Sequence, residues 1–266
     1  MSFVDEFADF VGSVPYRAAR LPWGEARVWD LGRGDPVVLL HGVSSSRRIF
    51  FRLAPLLAER FRVLVPPLRG EDIACRRLTY EDHEADLEAL LDGLGNVTLF
   101  GVSFGGAIAL SYAARRDPRV RRVIVQGAFA RFRLRLRDRM ILRLSHLLPA
   151  RAASRYFAYR VRRGRESRLL AHHTPGLEIL NEDWSAKTPV ATLRARTHLI
   201  AGTDLADPMA RIGVPLTLAQ GRMDSVVPFA FFERLRAIRP DAKSVVWDDV
   251  GHLAVLTHPE KVAALF

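Results

Sequence analysis

Leu99-Phe100-Gly101-Val102-Ser103-Phe104-Gly105-Gly106-Ala107-Ile108 is the stretch from which the rest of the chain is read. The apolar run Val97 to Phe100 reads as a buried strand that stops at Gly101, and an Ala-rich helical pattern follows from Gly105 to Arg116. Between them lies Gly-x-Ser-x-Gly, a pattern that holds a serine on a sharp strand-to-helix turn with its hydroxyl projecting. A turn this tight brings backbone against backbone, so a Cβ at Gly101 or Gly105 would collide. The pattern is short and arises often by chance. Its strand-to-helix setting separates Ser103 from an ordinary turn residue and makes it a candidate nucleophile.

Strands and helices alternate outward from this point. Upstream, residues 2–11 read as a short amphipathic helix and Glu25 to Leu31 as an alternating strand. Pro36-Val37-Val38-Leu39-Leu40 is continuously apolar, as expected of a strand covered on both faces, and it runs into His41-Gly42-Val43-Ser44-Ser45-Ser46. A helix is predicted over 47–59, then a strand over Phe61 to Val65 closed by Pro66-Pro67, then the loop Leu68-Arg69-Gly70. Thr79 to Leu94 reads as a helix with Leu87, Leu90, Leu91 and Leu94 on one face and Thr79 able to cap it with Asp82. Downstream, Arg122 to Gln126 is a strand, after which the alternation fails from Ala128 to about Asp207. It returns with a strand at Val214 to Ala219, a helix at Phe229 to Ile238, a strand at Ser244 to Trp247 and a terminal helix after His258-Pro259-Glu260. This order predicts a doubly wound, mostly parallel α/β sheet, with residues 1–127 and 208–266 as its core and 128–207 as an inserted helical lid.

Composition agrees with such a protein. The chain has 266 residues, 49% hydrophobic and 26% charged, enough for one large α/β domain carrying an insertion. Cys75 is the single cysteine, which excludes an intramolecular disulfide framework and fits a reducing compartment. The stretch Met1 to Phe10 is acidic and broken by charge, unlike a signal peptide. No run of about 18 uninterrupted apolar residues occurs, so a cytoplasmic protein without a spanning helix is expected. The net charge of +11 is localised: Arg131 to Arg168 holds 13 arginines against Asp138 and Glu166, leaving 27 basic and 27 acidic residues elsewhere. Lysines number only three, Lys187, Lys243 and Lys261, so genomic composition competes with selection as the source of the arginines.

In doubly wound sheets, reactive groups collect beyond the carboxyl ends of the strands. Three residues of suitable chemistry stand there: Ser103, Asp224 within Gly221-Arg222-Met223-Asp224, and His252 within Asp249-Val250-Gly251-His252. A serine hydroxyl needs a base to take its proton, and the base needs an anion to orient it. The chain order Ser, Asp, His is the one expected for a serine on this kind of turn. The backbone N–H groups of Phe104 and Val43 are the expected donors to a developing oxyanion. Asp204, Asp207, Asp248 and Asp249 compete for the acid's role, and Asp224 is preferred because it alone follows a strand and opens a loop. His41 is read as structural, near the oxyanion loop. His172-His173 lacks carboxylate partners and is read as surface, so no metal and no cofactor are expected. Cys75, in a loop, is read as inert.

His41-Gly42, Gly101-x-Ser103-x-Gly105-Gly106, Gly221-x-x-Asp224-x-x-x-Pro228 and Gly251-His252, in this order, resemble the α/β-hydrolase fold enzymes over nearly the whole chain outside 128–207. The resemblance implies an eight-stranded core, a lid between the sixth and seventh strands, and a Ser103–Asp224–His252 triad of an esterase-like serine hydrolase. One departure is that many relatives carry an Asp just before the Arg-Gly loop, where Pro67-Leu68-Arg69-Gly70 stands here. Serine at 103 excludes relatives that dehalogenate alkanes or open epoxides, which attack with aspartate at that place. Esterase, thioesterase, lactonase, carbon–carbon hydrolase, cofactor-free peroxidase and acyltransferase chemistry remain open. So does a non-catalytic small-molecule receptor on the same scaffold.

In the lid, Arg131 to Leu148 fits a helix with Phe132, Leu136, Met140 and Leu144 on an apolar face, ended by Pro149. A second basic stretch, Arg151 to Arg168, carries Tyr156, Phe157 and Tyr159. One reading is a solvated face whose apolar side covers the cleft. The other is an anion-docking lid. Methyl-ester esterases of acyl carrier proteins share the resembled fold and hold an acidic carrier with basic lid residues, and this lid is similar in charge. An anionic lipid surface or coenzyme A phosphates would fit the same charge. No nucleic-acid recognition motif accompanies it, so no specific nucleic acid is expected beside a small-molecule acyl ester or thioester.

Overall fold

The computed structural model describes residues 3–71, 73–132, 140 and 188–266. Eight strands among the described residues join in one sheet: β1 (Tyr16–Leu21), β2 (Gly24–Leu31), β3 (Pro36–Leu40), β4 (Arg62–Val65), β5 (Val97–Val102), β6 (Val120–Gln126), β7 (Leu216–Gly221) and β8 (Lys243–Trp247). Their spatial order is β1-β2-β4-β3-β5-β6-β7-β8. β1–β2 and β2–β4 are antiparallel, and every other pair is parallel, as expected from the sequence.

Among the described residues the helices are α1 (Phe3–Ser13), α2 (Leu53–Ala58), α3 (Tyr80–Leu90), α4 (Phe104–Ala113), α5 (Val190–Ala201), α6 (Ala206–Ala210), α7 (Phe229–Ile238), α8 (Ala254–Thr257) and α9 (Pro259–Ala263). Side chains alternate across a strand, so each central strand feeds two cores. Val38, Leu40, Leu99, Val123 and Val125 face a core closed by α3, α4, α6 and α7. Leu39, Phe100, Val102 and Ile124 face a second core closed by α2, α8 and α9, with α1 phenylalanines packed against it. Every residue of β3, β5 and α4 is buried, which is why these segments read as apolar with few interruptions, Thr98 and Ser111.

Several boundaries differ from expectation for local reasons. β1 escapes prediction because one of its two buried positions is Ala19, a small residue of low strand propensity. The helix expected over 47–59 divides into a 3₁₀ turn at Arg47–Phe50, capped by Ser46, and α2. Pro55 in a continuous helix would clash with the Phe51 carbonyl and lack the N–H to bond it, so the helix restarts at Leu53. Thr79 and Asp82 form the expected capping box on α3, which ends at Leu90 rather than Leu94. β7 begins after Pro215, two residues later than expected. Nearly all of the helix expected over Arg131 to Leu148, the basic stretch to Arg168 and His172-His173 lie outside the described residues. Among the described residues no helix is long and apolar enough to cross a membrane.

The chain runs from β3 outward to β4, then crosses back over β3 to β5 and proceeds the other way. That reversal opens a crevice at the carboxyl ends of β3 and β5. The loop after β3 and the turn after β5 are neighbours there, because Leu40 pairs with Gly101.

Candidate active site

Ser103 stands between β5 and α4 with φ 55° and ψ −116°, a conformation L residues rarely adopt and one that costs about 1–3 kcal/mol. The surroundings hold it there. Its N–H donates to the Gln126 carbonyl at 2.9 Å, and its own carbonyl accepts the Ala107 N–H at 3.1 Å. A Cβ on Gly101 would overlap the Gly105 carbonyl, and a Cβ on Gly105 would overlap the Leu40 carbonyl. These glycines let α4 and β3 close on the turn, as the spacing predicted.

Phe104 opens α4, so its N–H has no acceptor within the helix. Val43 lies in the loop after β3, where a Cβ built on neighbouring Gly42 would stand 3.6 Å from the Ser103 Cβ. Neither the Val43 nor the Phe104 N–H bonds another backbone group among the described residues.

Asp224 and His252 meet. The loops after β7 and β8 are laced together by Arg222 N–H to Trp247 O at 2.8 Å and Met223 N–H to Val250 O at 3.1 Å. This brings His252 Nδ1 to 2.8 Å from Asp224 Oδ2, with both side chains buried. A carboxylate only accepts, so Nδ1 carries the proton and the lone pair lies on Nε2, which suits a base. Asp224 is fully used: Oδ1 accepts the Val226 and Val227 N–H groups at 2.9 and 2.7 Å, and Oδ2 also accepts Gln220 Nε2 at 3.0 Å. The rival acids are exposed: Asp204 pairs with Arg131, Asp248 with Arg222 and Asp249 with Lys261, while Asp207 faces solvent.

Gln126, the last residue of β6, links both halves. Its carbonyl receives the Ser103 N–H, and its Nε2 donates to the His252 carbonyl at 3.2 Å. Gly127, next in the chain, has φ 58° and lies against the pair, so that a Cβ there would be 3.0 Å from His252 Nδ1 and 3.1 Å from Asp224 Oδ2. Sequence reasoning missed Gln126 and Gln220. Their signal was available, since a glutamine ending an apolar strand is a buried polar group in need of partners.

Beneath the loop after β3, His41 is buried as expected and its environment is polar. Its Nε2 lies 3.0 Å from Glu71 Oε2 and its Nδ1 2.9 Å from the Gly42 carbonyl, while Arg47 Nη1 donates to Glu71 Oε1 at 2.6 Å. Burial holds His41 below the usual imidazole value against the opposing pull of Glu71. Burial pushes Glu71 up, yet its bonds to His41 and the charge of Arg47 hold it below the ordinary carboxylate range. Glu71 had no motif to announce it. Among the described residues no cluster of three or more His, Cys, Asp or Glu is able to hold a metal ion.

Known proteins match this chain over most of its length. The Alpha/beta hydrolase family matches residues 37–265. A pimeloyl-[acyl-carrier protein] methyl ester esterase of Aromatoleum aromaticum is 30% identical over 249 residues, covering 86% of this chain and 95% of that protein. The enol-lactonase from Burkholderia xenovorans superposes with a TM-score of 0.80 at 20% identity, covering 94% of this chain and 97% of its own. A thermophilic esterase from Thermogutta terrifontis gives 0.74 at 24% identity, covering 94% and 96%. These structures share the fold, and with the matched family they bear out the resemblance carried by the four motifs: the chain belongs to the alpha/beta hydrolase family.

Proposed function

We propose that this chain is a serine hydrolase of carboxylic esters or thioesters, acting through an acyl-enzyme on Ser103. Ser103 Oγ attacks the acyl carbon while its proton passes to His252 Nε2, and the N–H groups of Val43 and Phe104 hold the resulting oxyanion. The carbonyl re-forms as the alcohol or thiol departs with that proton. Water, giving a proton to His252 Nε2, then attacks the acyl carbon, and Ser103 recovers its proton as the acid leaves. Asp224 keeps Nδ1 protonated throughout. The observation that carries this reading is the buried His252–Asp224 contact at 2.8 Å, joined through Gln126 to a serine held in a strained turn. The Aromatoleum aromaticum relative, an esterase of a carrier-bound methyl ester by name, supports the ester class.

The same relative, with the 13 arginines of 131–168, supports an acidic carrier as the partner of residues 128–207, which would act as the lid on a core of 1–127 and 208–266. A cytoplasmic site of action completes the reading.

The test is a short p-nitrophenyl ester together with a fluorophosphonate probe. The native chain is expected to turn over the ester and to be labelled once, and Ser103→Ala to do neither while keeping its circular dichroism. Turnover retained by Ser103→Ala would refute the assignment, and a native chain inert to the probe would favour the receptor reading. The assay repeated on coenzyme A and carrier-protein thioesters ranks the leaving groups.

A further inference from the structure

We infer that Arg196 is a positioning residue for the oxyanion loop: its guanidinium reaches in from α5 and holds the Val43 carbonyl, fixing the segment that presents the Val43 N–H. The inference rests on the reading of Ser103 as the nucleophile of a serine hydrolase.

Residues four apart share a helix face, and on α5 Thr192 and Arg196 are both fully buried. Thr192 Oγ1 accepts the Cys75 N–H at 2.9 Å, and a Cβ on Gly70 would run into the Thr192 side chain. The helix is thereby seated on the loop after β4. From that seat Arg196 Nη1 donates to Val43 O at 3.0 Å, and Nη2 donates to Leu68 O at 3.2 Å and Arg69 O at 3.1 Å. One guanidinium joins the loop after β3 to the loop after β4. Among the described residues no carboxylate is bonded to it, although Glu71 lies close enough to favour its charge. Burial lowers its pKa to about 10, so it is a cation at neutral pH.

A buried arginine is costly, and three neutral carbonyls alone do not require one. What its place does accomplish is geometric. Peptide units are planar, so the Gly42 carbonyl and the Val43 N–H point in opposite directions from one plane. On one side of that plane His41 is anchored through Nε2, which donates to Glu71 Oε2 at 3.0 Å. Arg196 fixes the next carbonyl, Val43 O. With both held, the Val43 N–H has little freedom to turn from the oxyanion position, and preorganised donors are what stabilise that charge.

The experiment compares the native chain with Arg196→Lys, Arg196→Gln and Arg196→Met. Active sites are counted by the fluorophosphonate end point, so that loss of folded protein does not register as loss of rate. We expect kcat per titrated site to fall about 10- to 100-fold in the Gln and Met variants, less than or near the about 10²–10³ of deleting an oxyanion donor outright. KM should stay within about threefold, and the Lys variant should recover part of the rate. Affinity for a trifluoromethyl ketone, whose adduct carries an oxyanion, should fall in parallel with kcat. Rates within about threefold of native, or a fall in kcat with ketone affinity unchanged, would overturn the inference. If Arg196→Met fails to fold, Arg196→Lys carries the same measurement. A native chain that the fluorophosphonate does not label refutes the functional reading itself, and this inference with it.

Discussion

Replacing Asp224 by asparagine changes one oxygen to an amide nitrogen, and the bonds around that oxygen set the consequence. With the asparagine oxygen at the Oδ1 site, the Val226 and Val227 N–H groups keep their acceptor. The new amide N–H₂ then faces His252 Nδ1 and Gln220 Nε2, both donors in the native protein. Gln220 cannot simply turn its amide over, because Nε2 also donates to Val227 O at 2.9 Å. The histidine must move its proton to Nε2, where it can no longer accept one from Ser103. The opposite amide orientation leaves the Val226 and Val227 N–H groups without their acceptor, at about 1–3 kcal/mol for the buried Val227 alone, and is disfavoured. The expected result for Asp224→Asn is a fall in kcat of about 10³–10⁴, the scale known for a triad histidine in the wrong tautomer. At about 1.36 kcal/mol per decade this is roughly 4–5.5 kcal/mol of transition-state stabilisation. Folding should weaken far less, by about 1–3 kcal/mol for the lost Gln220 bond. Steady-state turnover of a p-nitrophenyl ester, with urea unfolding of the same preparation, measures both. A kcat within about tenfold of native in a folded variant would mean that another group orients His252, and the reasoning would fail.

Gly127→Ala should lower kcat between about 10- and 100-fold, because the new methyl must displace the His252–Asp224 pair or the φ 58° turn must open. Thermal melting separates this from unfolding, and an unchanged kcat would show that the pair tolerates the shift. His83 is buried against the edge of Phe104 at 5.4 Å, with no hydrogen-bond partner for Nε2 among the described residues. Burial first, then the charges of Arg196, Arg69 and His41, hold its pKa well below 6.5. The unfolded chain therefore takes up a proton near pH 6.5 that the folded chain refuses. Its contribution to stability is intact above that pH and falls by up to about 1.4 kcal/mol per unit below it. His83→Phe should flatten the acid side of the stability profile by that slope between about pH 6.5 and 5, as read from urea midpoints. An unchanged slope would place the titrating group elsewhere.

Much of the catalytic end of the sheet is legible in the sequence. The run from Val97 to Ala113 is apolar with small residues where backbone must approach backbone, and both features are local. Asp224 and His252 stand out because each follows an apolar strand run, and parallel sheets gather such positions at one end. Where the structure departs from the expected boundaries, a competing local rule operates, as with Pro55 in the helix expected over 47–59 or Ala19 in β1.

Sequence by itself determined seven of the eight strands, β1 excepted, that the sheet is mostly parallel, and which three side chains would stand at its carboxyl end. The period of an apolar run and the tightness of a glycine turn are written in a few consecutive residues. Tertiary structure alone decided what surrounds them: Gln126 between Ser103 and His252, Gln220 on Asp224, Glu71 on His41, and Arg196 on the loop after β3. Arg196 and Val43 are 153 positions apart, and a glutamine or arginine looks the same in sequence whether it faces water or a buried carbonyl. Its partner is chosen only when the strands have set which loops lie side by side.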